Sequence, residues 1–154
     1  MPNGKLISIC IAPIAGGPMR YIEHALAMAG GGLQGDRYAT GEGSYNKGEL
    51  GHRQVTFINN LFLEGSGFTH AETRRNVAVE GVELMWLIGR EFEIGRARFR
   101  GVKYCDPCNR PSKLAGKAES FQQAFFDRGG LVAEIIVGGF IRVNDDVILP
   151  PKGY

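Results

Sequence analysis

The chain has 154 residues, a length that suits a single domain able to bury a substantial apolar core. Hydrophobic residues make up 44% of the sequence and charged residues 22%, which excludes an intrinsically disordered protein. The 18 lysines and arginines nearly balance the 16 aspartates and glutamates, so no strong positive field favours nucleic acid as a partner. We therefore predict one domain over residues 1–154.

No segment has the pattern of a targeting signal or a membrane span. The first residues lack a basic start followed by a long apolar core, and no run approaches the roughly 18 apolar residues of a membrane helix. Three cysteines are an odd number in a chain without an export signal. We therefore expect a cytoplasmic protein with no membrane partner, whose cysteines are thiols or metal ligands.

The first half of the chain predicts three strands and a long glycine-rich loop. Residues 5–14 predict a strand because they are rich in β-branched side chains and lead into the turn Gly16-Gly17-Pro18. Residues 30–51 contain eight glycines, and long loops of this kind inside compact domains are usually functional or mobile. There follow a strand, a short helix and a further strand, at 55–58, 59–64 and 77–79.

The second half predicts a hairpin, two short helical segments and two closing strands. Apolar residues alternate on both sides of Gly95-Arg96, which indicates a β-hairpin over residues 92–99. The remaining segments are a helical turn, an amphipathic helix and two strands, at 82–88, 118–128, 131–137 and 141–149. Many short strands with only two or three short helices predict a mainly β fold, a barrel or a closed sandwich.

One glycine motif matches the dinucleotide-binding pattern G-x-G-x-x-G, at Gly30, Gly32 and Gly35. That motif works only where it follows a buried strand and opens a helix whose N-terminus holds a pyrophosphate. Here it leads into Asp36-Arg37-Tyr38 and further glycine, without a helical pattern. We therefore interpret it as a plain turn.

The sharpest chemical feature is the segment Cys105-Asp106-Pro107-Cys108. A C-x-x-C pair can be half of a zinc site, a redox disulfide, a single metal ligand with a passive neighbour, or two structural cysteines. A thioredoxin-type dithiol requires a parallel βαβ setting, which the strand pattern does not predict. Zinc needs about two more soft ligands, and the candidates include no second close pair: Cys10, His24, His52 and His70.

The residues around Cys108 favour a reactive thiolate. Arg110 and Lys113 follow it closely, and nearby positive charge stabilises the thiolate, which is the form that binds soft metals. Pro107 and Pro111 stiffen the segment, so the sulfur is expected to be held in place and reachable by solvent.

Three further basic clusters predict contacts to an anion: Arg53-Gln54, Glu72-Thr73-Arg74-Arg75-Asn76 and Arg128-Gly129-Gly130. Each precedes a predicted strand, and arginine offers a planar fork suited to phosphate. We expect Arg53, Arg75 and Arg110 to converge on one cavity that contains the Cys108 sulfur. At least one of Arg74 and Arg75 is expected at the surface, because neighbours on a strand point to opposite faces.

These segments together resemble the MOSC family, named for the C-terminal domain of molybdenum cofactor sulfurases. The resemblance runs in the family's order from about Gly35 to the end of the chain. Its pieces are Gly35-Asp36-Arg37-Tyr38, Gly51-His52-Arg53-Gln54-Val55-Thr56, Glu72-Thr73-Arg74-Arg75-Asn76-Val77-Ala78-Val79, Leu87-Ile88-Gly89-Arg90, Phe92-Glu93-Ile94-Gly95, Cys105-Asp106-Pro107-Cys108, Arg128-Gly129-Gly130-Leu131, Gly138-Gly139 and Ile141-Arg142-Val143-Asn144-Asp145.

The resemblance implies a mixed β-barrel with a few short helices and a molybdenum cofactor, molybdopterin. In molybdenum-binding relatives a family cysteine ligates molybdenum held by a pterin dithiolene, and this role falls on Cys108. Cys105 is then a neighbour that takes part in sulfur transfer or is silent. The cofactor contacts implied are Asp36, Arg53, Gln54, Arg74, Arg75, Asn76 and Arg110. The family also has an association with pyridoxal phosphate and with sulfur carriage.

Two departures from the larger molybdenum-binding members bear on function. Those members carry an additional N-terminal β-domain and a lysine-rich turn after the first strand, whereas the turn here is Ala15-Gly16-Gly17-Pro18-Met19. We therefore expect either a reductase for N-hydroxylated compounds or a protein that carries or sulfurates the cofactor, completed by a cofactor-sulfurating or electron-donor partner. The alternatives are a non-catalytic binding module for an anionic small molecule and a zinc-bound structural site.

Overall fold

The computed structural model of the protein describes residues 3–41 and 51–151. In that part of the chain, eleven strands and two short α-helices alternate with turns. The strands are β1 (Gly4–Ile11), β2 (Arg20–Ile22), β3 (His24–Met28), β4 (Gly32–Leu33), β5 (Val55–Asn59), β6 (Val77–Glu80), β7 (Glu91–Ile94), β8 (Ala97–Tyr104), β9 (Leu131–Val137), β10 (Gly139–Arg142) and β11 (Asp146–Ile148). The helices are α1 (Arg110–Ala115) and α2 (Phe121–Ala124), and 3₁₀ turns cover Asn60–Phe62, Ala71–Thr73 and Leu84–Leu87.

Seven of the strands close into a barrel. Their order is β11-β7-β8-β9-β5-β6-β1, and a further pairing of β11 with β1 joins the two edges. The pairing of β5 with β6 is parallel and the other barrel pairings are antiparallel, so the barrel is mixed. Strand β2 extends the sheet beyond β1, and β10, β3 and β4 form a small second sheet. The predicted fold class, mainly β with a few short helices in a mixed β-barrel, is confirmed.

Aromatic side chains fill the centre of the barrel. Phe57, Phe92 and Phe99 are at most 2% exposed, and each ring lies 5.4–5.5 Å from the other two. Two of the three ring pairs meet edge to face, an arrangement that adds about 0.5–1.5 kcal/mol per pair beyond the burial of apolar area. The alternating apolar residues of β7 and β8 therefore lie on one face of the hairpin, as the sequence predicts, and this face contributes to the core.

A second apolar cluster seats the helical segment on the outside of the barrel. Phe121 and Phe125 stack at 4.6 Å, and both pack with Phe68, Ile58 and Ala78. The Ser120 side chain caps α2 by accepting a hydrogen bond from the Gln123 N–H at 3.2 Å. This cluster fixes the connection from β8 to β9, which carries both cysteines of the C-x-x-C pair.

Most predicted elements are present, with shifted ends. The hairpin around Gly95-Arg96 is confirmed, and the first strand ends at Ile11 instead of continuing to residue 14. The helices predicted at 118–128 and 59–64 shorten to α2, which Ser120 caps, and to a 3₁₀ turn, which Asn59 caps. The polar turn after Cys108 continues as α1, which the sequence pattern did not predict.

The glycine-rich segment forms turns around the two-residue strand β4. Gly30 and Gly35 have φ angles of 71° and 87°, and no helix follows them within residues 36–41, in agreement with the interpretation of the motif as a turn. The remainder of the predicted loop, residues 42–50, lies outside the described residues.

Candidate functional site

One cavity is lined by residues that follow β1 and β8, by residues at the start of β5 and by residues just before β6. It is called the Cys108 cavity below. Its walls come from five separated stretches of the chain, so only folding assembles it. The lining residues are Gly16, Arg37, Tyr38, Arg53, Thr56, Arg74, Arg75, Cys105, Asp106, Cys108, Arg110 and Pro111.

Both cysteines of the C-x-x-C pair line this cavity, but they differ in exposure. Cys108 is half-buried, as expected for a thiol that solvent reaches, whereas Cys105 is only 2% exposed. The Cys105 N–H donates to the Gly130 carbonyl at 2.9 Å, and the Nη1 of Arg53 lies 3.6 Å from the Cys105 sulfur. Cys105 therefore belongs to the buried wall of the cavity, and Cys108 is the more exposed of the two cysteines.

Two glycines allow the cysteine segment to approach the start of β9. A Cβ atom at Gly129 would overlap the Cys105 carbonyl oxygen and would lie 2.9 Å from Pro107 Cδ. A Cβ at Gly130, whose φ is 105°, would overlap the Phe57 carbonyl oxygen. The pair therefore has a steric task, namely to let the segment that carries Cys105 and Cys108 lie directly against the barrel.

Arg75 lines the cavity, but its guanidinium group serves the protein itself. Nε donates to the Gly129 carbonyl at 2.8 Å, Nη1 to the Thr73 carbonyl at 3.0 Å and Nη2 to the Cys105 carbonyl at 3.3 Å. The side chain is buried and lies 5.1 Å from the Phe121 ring centre. Arg75 thus joins three loops beneath the cavity, and its predicted contact to a cofactor is secondary to this positioning.

The expectation that Arg74 or Arg75 would point to the surface is wrong. Arg74 is half-buried, and both arginines line the same cavity. The reason is that β6 begins only at Val77, and Arg74 has a left-handed φ of 67° after the 3₁₀ turn, so strand alternation does not apply. The Arg74 side chain reaches across the cavity rim and donates to the Gly17 carbonyl.

The cavity carries a concentration of positive charge. Burial, reinforced by the positive charges of Arg37 and Arg110, lowers the pKa of Arg74 to about 10. Burial by itself would lower the pKa of Arg53, but the adjacent Cys105 and Tyr38 outweigh it and raise that pKa. Repulsion among arginines that share one cavity is relieved when an anion binds between them.

Asp36 does not line the cavity and instead anchors one of its arginines. It is fully buried, and its Oδ1 accepts from the Arg37 Nη1 and from the Ala12 N–H, both at 2.9 Å. Arg37 in turn donates to the Tyr38 hydroxyl at 3.2 Å and to the Arg74 carbonyl at 3.0 Å. The predicted direct contact of Asp36 to a cofactor is therefore replaced by an indirect, positioning role.

Gln54 and Asn76, also predicted as cofactor contacts, are buried below the cavity and bind backbone groups. The Gln54 Oε1 accepts from the Ile135 N–H at 2.7 Å, and the Asn76 Oδ1 accepts from the Thr56 N–H at 3.0 Å. The Asn76 Nδ2 donates to the Cys10 carbonyl at 3.1 Å. These two side chains fasten β1, β5, β6 and β9 to one another under the site and are not in its wall.

The cluster around Arg128 was also expected to contact an anion, and the structure places Arg128 outside the Cys108 cavity. The Arg128 guanidinium lies over the Phe62 ring at 4.8 Å and lines a different cavity, together with Asp127 and Glu83. Conversely, the sequence reasoning missed Arg37, Tyr38 and Thr56 as cavity residues. The signal for the first two was present, since they complete the motif Gly35-Asp36-Arg37-Tyr38.

Two negative observations hold for residues 3–41 and 51–151. No three His, Cys, Asp or Glu side chains lie close enough together there to form a metal site from protein ligands alone. No helix in these ranges has the length and apolar character that crossing a membrane requires.

Comparison with known proteins identifies the fold and the family pattern. The model of the MOSC domain matches residues 49–148. Solved structures of the same fold include the YuaD protein from Bacillus subtilis, with 18% identity and a TM-score of 0.77 over 94% of both chains. YiiM from Escherichia coli has 14% identity and a TM-score of 0.66, over 96% of this chain and 70% of that one.

YiiM from Geobacillus stearothermophilus has 12% identity and a TM-score of 0.68, over 97% of this chain and 76% of that one. At identities this low, the likeness to solved structures shows the fold alone. Among curated proteins, no sequence matches the chain.

Proposed function

Since the chain belongs to the MOSC domain family, whose model covers residues 49–148, we propose that the Cys108 cavity binds the molybdenum–pterin cofactor. Cys108 is the thiolate ligand in this proposal, and the chain either reduces N-hydroxylated compounds or carries and sulfurates the cofactor. Its free cysteines are compatible with the cytoplasm as the place of action.

The observation that carries the proposal is the setting of one sulfur. Of the three cysteines, Cys10 is fully buried and Cys105 is nearly so, while Cys108 is half-buried among arginines. Burial raises the pKa of the Cys10 thiol to about 12, which removes it as a candidate thiolate. A single accessible soft ligand in a cationic cavity fits an anionic cofactor whose other metal ligands come from the pterin.

The residues present fit the cofactor in their donor chemistry. Cys108 would offer the sulfur ligand, while Arg53, Arg74 and Arg110 would balance the negative charge of the pterin phosphate. The bound group would supply two-electron redox chemistry at the metal. The chain contributes the ligand, the orientation of the anion and a wall held rigid by Arg75.

The second thiol keeps sulfur carriage as the alternative activity. Cys105 lines the same cavity as Cys108, with an arginine 3.6 Å from its sulfur. Pyridoxal phosphate, which the family association suggests, does not fit this cavity, because no lysine is among the lining residues that the structure describes. Pyridoxal phosphate would instead be bound by a partner protein that sulfurates the molybdenum cofactor.

The test is a pair of single substitutions, Cys108→Ala and Cys105→Ala, in protein purified from a host that makes the pterin cofactor. Cys108→Ala is expected to lower the molybdenum content at least about tenfold, because the metal loses its only protein ligand. Cys105→Ala is expected to retain most of the metal. Molybdenum analysis and reductase turnover on an N-hydroxylated compound measure both effects.

Three outcomes would contradict the proposal. Equal losses in both variants would favour a dithiol that cycles through a disulfide, because exchange needs an attacking and a resolving thiol. Zinc in place of molybdenum in the unmodified protein would favour a structural metal site. Neither metal, in a host that loads other molybdenum proteins, would favour a non-catalytic binding module.

A further inference from the structure

A second cavity opens beside the Cys108 cavity, between the β1–β2 loop, the 3₁₀ turn Ala71–Thr73 and helix α1. It is called the side cavity below, and its volume is about 200 Å³. Six of its eight lining residues are prolines, alanines or larger apolar residues. The full set is Pro18, Met19, Ala71, Glu72, Arg74, Pro111, Leu114 and Ala115.

The side cavity shares walls with the Cys108 cavity. Arg74 and Pro111 line both of them. Met19 lies on the wall of the side cavity, and Arg37 lines the Cys108 cavity. The Nη1 of Arg37 donates to the Met19 sulfur at 3.6 Å. The two cavities are therefore adjacent, and a molecule that occupied both would pass Arg74.

The chemistry of the two cavities differs sharply. The Cys108 cavity holds five arginines, whereas Glu72 and Arg74 are the charged residues among those that line the side cavity, and each has a partner. Glu72 is 3.4 Å from the Lys117 ammonium and accepts from the Thr69 N–H at 2.9 Å, and Arg74 donates to the Gly17 carbonyl. Leu114 is left 44% exposed on a short helix, so apolar surface remains for a ligand to cover.

We propose that the side cavity is a substrate subsite for the uncharged apolar part, a ring or an alkyl group, of a small molecule whose polar reactive end lies at Cys108. The inference rests on the proposed function of the Cys108 cavity and names the substrate class. The arginines of the Cys108 cavity would hold the anionic cofactor, while burial of apolar area favours a ring or chain of the substrate against Met19, Pro111 and Leu114. The flexible thioether of Met19 lets the wall adapt to rings of different shape.

The test uses benzyl alcohol as an uncharged ring and inorganic phosphate as an anion, with binding followed by NMR shifts of backbone amides. Benzyl alcohol is expected to shift the amides of Met19, Leu114 and Ala115. Ala115→Trp fills the side cavity and is expected to weaken benzyl alcohol binding at least about tenfold. The matched control is Ala118→Trp, which adds the same side chain at an exposed position outside the cavity.

A second variant, Leu114→Ser, is expected to weaken benzyl alcohol binding as well, and because Leu114 is partly exposed the variant is expected to remain folded. Phosphate binding and molybdenum content are expected to stay unchanged in all three variants. The inference is overturned if benzyl alcohol does not bind near these residues, or if Ala115→Trp and Ala118→Trp bind it equally. If the unmodified protein bound neither phosphate nor molybdenum, that result would count against the proposed function and not against the side cavity.

Discussion

Arg74 and Arg75 are adjacent in the sequence and serve different purposes. Arg75 donates to three backbone carbonyls and is almost fully buried. The Arg74 side chain donates a hydrogen bond to the Gly17 carbonyl, and its backbone is left-handed, a conformation that costs a non-glycine residue about 1–2 kcal/mol. A residue held in this conformation at a cavity suggests that its side chain is needed there.

We predict that Arg75→Met destabilises the protein by about 3 kcal/mol, because buried carbonyls lose their donors. Arg74→Gly is expected to change the free energy of unfolding by less than about 1 kcal/mol, since relief of backbone strain offsets the lost hydrogen bond to Gly17. It should still weaken phosphate binding. Urea unfolding and phosphate titration measure the two effects, and equal destabilisation by both substitutions would contradict this division of roles.

His70 links the site to pH through its burial. Its Nε2–H donates to the Arg75 carbonyl at 2.9 Å, and its Nδ1 lies 2.5 Å from the Ser8 hydroxyl, which donates to it. Burial lowers the pKa of His70 from 6.5 to about 4, and the hydrogen bonds to backbone carbonyls only partly oppose this effect. The folded protein therefore holds a neutral imidazole directly behind Arg75.

The consequence is a loss of stability in mild acid. The unfolded chain binds a proton at His70 near pH 6.5, whereas the folded chain binds one only near pH 4. The free energy of unfolding therefore has its full value above pH 6.5 and decreases as the pH falls towards 4. We predict a loss of about 2 kcal/mol between pH 7 and pH 5. In His70→Gln the loss over this interval should shrink, and identical pH profiles for the two proteins would show that His70 is not its source.

At the scale of elements, the connection from β8 to β9 decides the geometry of the site. It contains Cys105, Cys108 and both α-helices, and it lies on the barrel through the Phe121–Phe125 stack and the close approach at Gly129. Cys105 and Cys108 thus occupy a short segment fixed at both ends. The position of the Cys108 sulfur depends on how closely this segment can pack.

We predict that Gly129→Ala destabilises the protein by more than about 2 kcal/mol and lowers phosphate binding, because the added methyl group pushes the Cys105 backbone away from β9. The matched control is Gly31→Ala, whose methyl group would meet its nearest atom at an ordinary 3.5 Å. Thermal unfolding of both variants compares the two sites. A Gly129→Ala protein as stable as Gly31→Ala would show that the close approach is not required.

At the scale of the whole molecule, the strongly positive cavity contrasts with the small net charge of the chain. The formal net charge is only +2, yet five arginines line one cavity. A local cationic site of this kind holds an anion without drawing polyanions to the entire surface. An anion that binds only the folded state also stabilises that state by mass action.

We predict that phosphate, at ten times its dissociation constant, stabilises the protein by about 1.4 kcal/mol, which raises the Tm by about 3–5 °C. The comparison is with sodium chloride at equal ionic strength. Arg110→Ala changes an exposed position. The variant should keep the general stabilisation by phosphate as a salt and should lose part of the additional increase in Tm that comes from phosphate binding. An identical rise in both proteins would assign the whole effect to the solvent.

The sequence by itself determined the strands with clear apolar alternation, the β7–β8 hairpin and the mainly β fold. These features are local, because alternation, turn residues and neighbouring charge act within a few residues. Strand β2 was missed, since Arg20–Ile22 is short and largely exposed at an edge and has no apolar pattern. The short lengths of the helices likewise depended on what they packed against.

Only the tertiary structure decided which polar residues face the cavity. Arg75 donates to Gly129, 54 residues away in the sequence, and Gln54 accepts from Ile135, 81 residues away. The side chains of a motif beside a strand can therefore line a cavity, bind backbone groups or lie at the surface. The β11–β1 pairing that closes the barrel and the side cavity beside Arg74 depend on contacts of the same long range. Residue type sets what a side chain can bind, but its partners are fixed by packing between distant segments.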